Sequence, residues 1–198
     1  MSRLRIIGGK HGGRVFRLPA GSPTRPTADR VREAVFNILV HGFDWPGFAE
    51  ARVIDVFAGS GAYGLEALSR GAAGATFIDR EQTALLAIRR NAASLGEASR
   101  VTLLHLDATH LPPPPFAAGA PCALAFLDPP YGSGAACPAL AGLASRGWLA
   151  DGGLAVVEVG AREPFVAPPA FTVIDDRSWG AARVLFYRFG ERRAPVSR

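Results

Sequence analysis

The stretch Asp55-Val56-Phe57-Ala58-Gly59-Ser60-Gly61-Ala62-Tyr63-Gly64 decides the fold. It continues the short apolar run Val53 to Val56 and opens onto Tyr63 to Ser69, so a buried strand passes through a glycine turn into a helix. Gly59, Gly61 and Gly64 satisfy G-x-G-x-x-G. Glycines at such a turn allow positive φ and let a ligand come close to the backbone. Asp79, at the end of a second apolar run, follows Gly59 at the distance where an acid meets ribose hydroxyls. Many strand–helix turns are glycine-rich for packing alone, so the pattern needs support from the rest of the chain.

Downstream of this turn, strands and helices alternate. Ala75 to Ile78 reads as a second strand, Glu81 to Leu95 as a helix, and Val101 to Leu106 as a third strand. Four consecutive prolines in Leu111 to Pro121 exclude regular structure and predict a surface loop. Cys122 to Leu127 is a fourth strand, Ala135 to Arg146 a helix and Leu154 to Val159 a fifth strand. Phe171 to Ile174 and Arg183 to Phe189 end the chain as two strands with no helix between them, hence a hairpin. Repeated βα units with short loops predict a mostly parallel, doubly wound α/β sheet with helices on both faces.

Upstream, Leu4 to Leu18 alternates apolar residues with Gly8-Gly9 and Gly12-Gly13, which predicts a β-hairpin. Pro23 to Pro26 is a stiff link, and Thr27 is placed to N-cap a helix running to about Val40 with Val31, Val35, Ile38 and Leu39 on its apolar face. The expected division is an extension over 1–40 and a main domain over 41–198.

The 198 residues are 48% hydrophobic and 20% charged, enough apolar material for a sizeable core and too much for a disordered chain. The longest apolar candidate, Phe116 to Leu127, is too short for a membrane helix and contains Gly119 and Pro121. Gly8, Gly9 and Lys10 interrupt any signal-peptide core. Two cysteines exclude a disulfide scaffold, and the four histidines show no metal-binding spacing, so no metal is expected and the cytosol is the expected compartment. The net charge of +5 is uneven: residues 1–32 hold eight of the 22 basic residues and one acid, leaving the remainder slightly acidic. A basic arm on a nearly neutral body suits a polyanion. Of the basic residues 21 are arginine, a sign of genome composition, but such bias does not explain the asymmetry.

The strand ends carry the chemistry. Asp55 lies inside the first strand, where a pyrophosphate would not welcome a negative charge; a carboxylate there suits a cationic amino group or caps the glycine turn. Of Asp79 and Glu81, the first is placed for a ribose and the second to N-cap the next helix. Asp107, after the third strand, lies where an adenine amine would be met, or is a solvated strand end. Asp128-Pro129-Pro130-Tyr131 ends the fourth strand and faces the same crevice as the glycine loop. A nucleobase amine is a poor nucleophile because its lone pair is delocalised into the ring. The Asp128 carboxylate and the Pro129 carbonyl can accept its two N–H groups, the prolines fix the loop, and Tyr131 offers a ring for stacking worth about 1–3 kcal/mol.

These motifs together resemble the S-adenosylmethionine-dependent amino-methyltransferases that carry a D/N-P-P-F/Y/W tetrapeptide, and more narrowly the bacterial 16S rRNA guanine-N2 methyltransferases. The narrow likeness rests on Arg5-Ile6-Ile7-Gly8-Gly9, Arg25-Pro26-Thr27, Asp29 to Glu33, Phe36-Asn37, Asp55 to Gly61, Gly64 to Ala72, Asp128 to Tyr131 and Gly147-Trp148-Leu149. It implies a Rossmann-like class I methyltransferase fold, a seven-stranded sheet with a C-terminal antiparallel hairpin. It also implies methylation of guanine N2 at the position usually numbered 966 of 16S rRNA, in a small subunit assembled or assembling. On the matching positions, Asp55, Phe57, Gly59 and Gly61 line the cofactor S-adenosyl-L-methionine, Asp79 meets its ribose and Asp107 its adenine. Asp128, Pro129, Pro130 and Tyr131 serve the target base. Thr27 and the Arg25–Arg30 region cover the methionine end and the RNA entrance, while Arg5, Lys10, Arg14, Arg25 and Arg30 are the expected phosphate contacts. Here the second strand ends Ile78-Asp79-Arg80-Glu81, where the family often has glutamate first and aspartate third, which blurs which acid meets the ribose.

The tetrapeptide chemistry alone would equally suit adenine N6, cytosine N4 or a glutamine amide, and the basic arm argues only against the last. A nicotinamide-dependent oxidoreductase fits the glycine loop but leaves Asp128 to Tyr131 unexplained. A non-enzymatic RNA-binding factor would keep the arm without needing these pocket residues. A monomer is the simple expectation for a domain that docks on a large particle.

Overall fold

The computed structural model describes residues 4–15, 18 and 28–190. Seven strands, β1 (Arg52–Val56), β2 (Gly74–Asp79), β3 (Val101–His105), β4 (Cys122–Leu127), β5 (Leu149–Gly160), β6 (Phe171–Trp179) and β7 (Ala182–Phe189), form one sheet in the order β3-β2-β1-β4-β5-β7-β6. The first five are parallel, and β7 runs antiparallel to both β5 and β6. The expected mostly parallel sheet with a terminal hairpin is what the chain adopts. The order reverses between β1 and β4, so a crevice opens beyond their carboxyl ends.

Side-chain alternation along the parallel strands divides the core into two. Val53, Phe77, Leu124, Phe126, Leu154 and Val156 face one layer, with helices α1 (Ala28–His41), α2 (Ala62–Ser69) and α3 (Gln82–Leu95). Ile54, Val56, Ile78, Ala125, Leu127 and Val157 face the other, covered by α4 (Ala136–Ser145). Among the described residues that second layer has a single α-helix, and the proline-rich segment supplies further cover. Leu111 and Ala118 are buried, Trp148 donates its indole N–H to the Pro112 carbonyl at 2.8 Å, and Thr76 donates its hydroxyl to the Ala118 carbonyl at 2.8 Å. The segment is the surface loop expected, exposed over most of residues 112–117, and it is anchored at its two ends by the buried Leu111 and Ala118, with one turn of 3₁₀ helix at Phe116–Ala118.

The expected N-terminal hairpin is present in a short form. Among the described residues, a single antiparallel bridge joins Arg5 to Val15 around a 3₁₀ turn at Gly9–His11. The reason is where the backbone donors go: the N–H groups of Ile7 and Gly8 both donate to the buried Glu66 carboxylate, at 2.7 and 2.8 Å, so no partner strand can claim them. Helix α1 shares the first core layer rather than standing apart. Phe36 is fully buried, 5.5 Å between ring centroids from Phe126 and 6.2 Å from Tyr63, with the Arg70 guanidinium 4.9 Å from its ring centre.

Strand β5 begins five residues earlier than the apolar run suggests, because a register shift against β4 between Cys122 and Leu124 absorbs the Asp151-Gly152-Gly153 interruption. Strand β6 likewise runs past Ile174 through Asp175, Asp176 and Arg177, polar residues an edge strand tolerates.

Candidate functional site

The site is built on the carboxyl ends of β1, β2, β4 and β5. The chain leaves β1 through Phe57, whose φ of 63° places a non-glycine residue in the left-handed region. Such strain persists only where surrounding structure enforces it and gathers at ligand-binding turns. The Ala58 N–H holds this turn to the Ile78 carbonyl at 3.0 Å. The three glycines then divide their duties. A Cβ on Gly64 would stand 2.4 Å from the Phe77 ring and one on Gly61 2.9 Å from Ile88, so these two let α2 seat on the sheet. A Cβ on Gly59, at φ 51°, would meet nothing closer than 3.9 Å, so this glycine leaves its backbone open toward the crevice.

Two acids are wired into the loop. Asp55, 3% exposed, accepts the Gly64 N–H at 2.8 Å, which is the turn-capping role its position allowed. Burial pushes its pKa up to about 8 against the pull of the Gly64 hydrogen bond; neighbouring Asp79 adds to the rise and Arg32 opposes it. At neutral pH this carboxyl is mostly protonated and is ready to ionise beside a cation. Asp79 accepts the Gly59 N–H at 2.7 Å on one oxygen and the Glu81 N–H at 2.8 Å on the other, leaving each oxygen a lone pair for a further donor. Glu81 occupies the N-cap position of α3, but its side chain makes no capping bond and instead lies exposed near Arg80. The expected capping by Glu81 is thus corrected: Asp79 is the acid that organises this corner. Asp107 is exposed and caps the short turn at Ala108–His110, accepting from the Thr109 amide at 2.8 Å and hydroxyl at 2.7 Å. The Thr109 hydrogen bonds hold its carboxyl below the usual range.

The last apolar residues of β4 lead into Asp128, exposed, and Pro129, buried. Tyr131 folds back so that its hydroxyl donates to Glu158 Oε1 at 2.6 Å, while the Tyr63 hydroxyl donates to Glu158 Oε2 at 3.0 Å. Burial and the Glu158 and Asp128 carboxylates push the Tyr63 phenol well above its ordinary pKa, so it remains a donor. Beside this group, Glu163 accepts the Gly132 and Gly160 N–H groups at 2.9 and 3.1 Å, tying the turn after β4 to the turn after β5. Glu158, Tyr63, Arg32 and Glu163 are the participants the sequence reading missed. The signal for Glu158 was present: a carboxylate in the otherwise apolar Val156-Val157-Glu158-Val159, at a strand's carboxyl end.

The basic residues do not form one patch. Helix α1 begins near this edge: Arg30 is exposed there, and the buried Arg32 acts electrostatically on both Asp55 and Tyr63. Arg32 also donates to the Asp29 carboxylate and, at 2.5 Å, to the Arg5 carbonyl. Lys10 and Arg14 lie at the opposite end of the sheet, where α2 and α3 finish. Lys10 pairs with the buried Glu97 at 2.6 Å, and Arg14 donates to the Ser94 carbonyl at 2.9 Å. Burial would raise Glu97, yet bonds from Lys10, His11 and Arg100 hold it at about 2. Arg5 is exposed on the arm, and Arg25 and Thr27 lie outside the described residues. Among the described residues no group of three or more His, Cys, Asp or Glu side chains is placed to hold a metal, and no helix is long and apolar enough to cross a membrane.

The donor set fits an adenosyl ligand with a cationic tail. An open glycine backbone, an acid at the end of β2 and a buried carboxyl near the end of β1 lie together at the carboxyl ends of these strands. Proteins similar to this chain are named as methyltransferases. Over 158 residues, covering 79% of this chain and 74% of the relative, the sequence is 40% identical to ribosomal RNA small subunit methyltransferase D of Escherichia coli K12. The protein of the same name from Haemophilus influenzae is 31% identical over 191 residues, 93% of each chain. A solved structure described as a putative methyltransferase from Escherichia coli superimposes with a TM-score of 0.79 at 33% identity, covering 96% of this chain and all of that one. The sheet is thus that of a Rossmann-like methyltransferase. Residues 4–188 match the family model described as conserved hypothetical protein 95, and the chain belongs to that family.

Proposed function

We propose that this protein transfers a methyl group from S-adenosyl-L-methionine to the exocyclic N2 of a guanine in 16S rRNA of the small ribosomal subunit, acting as a cytoplasmic monomer. What supports the reading most is that Asp128 and Tyr131 follow the carboxyl end of β4 beside Tyr63 of the glycine loop: Asp128 acts on the Tyr63 phenol, and the Tyr131 and Tyr63 hydroxyls share Glu158. When bound, the cofactor supplies an electrophilic methyl on a sulfonium. The chain's own residues then have separable tasks. Asp79 offers lone pairs to the ribose, and Asp55 ionises against the cationic amino group. The Asp128 carboxylate and the Pro129 carbonyl take the N–H hydrogens of the target amine and favour its pyramidal, nucleophilic form. The Tyr131 ring supports the base. Because N2 is inaccessible to a sulfonium inside a stacked helix, the base enters extruded. Holding amine and methyl in line supplies most of the acceleration.

Residues 1–40 serve as the part of the molecule that contacts RNA and cofactor, with Arg25 and Arg30 among its phosphate contacts. Arg5, Lys10 and Arg14 offer further charge only to rRNA that reaches around the arm. Asp128→Ala tests the assignment. Methyl transfer is expected to fall by at least about 100-fold, while cofactor affinity measured by calorimetry stays within a few-fold. Equal loss of both would remove Asp128 from the reaction.

A further inference from the structure

Glu158 occupies a position that ordinary sheet geometry makes meaningful. Phe126 is in register with Val156 and Leu127 with Val157, so the next step along the same register sets Asp128 beside Glu158. Neighbouring strands stand roughly 4.8 Å apart, and alternation points both side chains to the α1–α2 face, the face of Phe126 and Val156. Two carboxylates therefore stand side by side at the crevice. Glu158 is partly exposed, and among the described residues no lysine or arginine forms an ion pair with it; its two oxygens are held by the Tyr131 and Tyr63 hydroxyls. Each oxygen retains acceptor capacity after taking one hydroxyl.

That arrangement favours one nucleobase. Adenine and cytosine present, next to their exocyclic amine, a ring nitrogen that accepts a hydrogen bond. Guanine alone presents a ring N–H beside its amine, a donor next to a donor. A pair of acceptors spaced across one strand interval matches the guanine edge and sets a carboxylate against a lone pair in the other two.

Resting on the methyl-transfer reading above, we propose that Glu158 is a specificity-determining residue that accepts the N1–H of the target guanine, oriented for this by Tyr63 and Tyr131, while Asp128 accepts from N2. A group built to accept a substrate N–H penalises an analogue that lacks it, because two acceptors are then left facing each other.

The test uses small subunits reconstituted from 16S rRNA carrying either guanine or 2-aminopurine at the target position. 2-Aminopurine keeps the amine but has an acceptor at N1. Wild-type protein should prefer guanine by about 10- to 100-fold in kcat/KM. In Glu158→Gln the amide can donate to N1, so activity on guanine should fall and the preference should shrink toward unity or reverse, with cofactor affinity unchanged. An equal fall on both substrates would make Glu158 merely structural and overturn the proposal. So would a wild-type preference near unity, a result that needs no variant to fold. If wild-type protein methylates neither substrate although it binds cofactor, the underlying reading fails, and this proposal with it. Efficient methylation of guanine without discrimination removes only the role of Glu158.

Discussion

Asp55 shows how one side chain can work against the fold while preparing the site. It is buried, bonded to a single backbone N–H and held near a pKa of 8, far above an aspartate in an unfolded chain. The folded state therefore keeps a proton that the unfolded state releases above about pH 4. Stability from this group is full at low pH and is lost as pH rises toward 8, at about 1.4 kcal/mol per pH unit. Asp55→Asn removes the titration and keeps the acceptor for Gly64. The variant's stability relative to wild type should climb between pH 5 and pH 8 in denaturant unfolding, and its cofactor affinity should drop. A pH-independent difference would mean that Asp55 is already ionised in the folded protein. Legibility differed even among such single residues. Asp55, Asp79 and Asp128 could be picked out because a carboxylate at a strand's end is conspicuous in a linear pattern. Tyr63 and Arg32 could not, since their importance comes from meeting Glu158 and Asp55 across elements far apart in the chain.

Among the elements, α1 joins the arm to the edge of the sheet formed by its carboxyl strand ends. Its Phe36 is fully buried between Phe48, Tyr63 and Phe126, and its Arg32 reaches Arg5 and Asp29 while lying near Asp55 and Tyr63. Phe36→Ala should cost about 3–5 kcal/mol and lower the midpoint of a single cooperative unfolding transition. Two separate transitions would instead establish 1–40 as an independently folding unit. The parallel strands were readable because each is a short apolar run bounded by glycine, proline or acid, and β4 falls where the pattern puts it. The early start of β5 was hidden by its two-glycine bulge, and the polar half of β6 by its place on the sheet edge. The hairpin at the start was legible from its glycine pairs, but periodicity cannot show that a buried glutamate takes the Ile7 and Gly8 donors and leaves a single bridge among the described residues.

For the whole molecule, charge alone was a coarse guide. The arm's excess of arginine and lysine was legible, but the structure sends part of it away from the site. Lys10 serves Glu97 and Arg14 serves Ser94 at the amino-terminal edge of the sheet, whereas Arg30 stands exposed where α1 begins near the crevice. Arg30→Ala should weaken subunit binding several-fold and reduce the slope of log affinity against log salt by about one. Lys10→Ala should leave that slope nearly unchanged and lower thermal stability, because the buried Glu97 loses a partner. A reversed order of effects would place the RNA path along the other edge.

The central claim, methyl transfer to a guanine N2, is tested most directly by incubating the protein with labelled S-adenosyl-L-methionine and small subunits lacking the modification, naked 16S rRNA in parallel, and identifying the methylated nucleoside by mass spectrometry. N2-methylguanosine at a single site is the expected product, with Asp128→Ala giving none. Methylation of adenine, cytosine or a protein amide instead, or no incorporation into either substrate by protein that binds the cofactor, would contradict it.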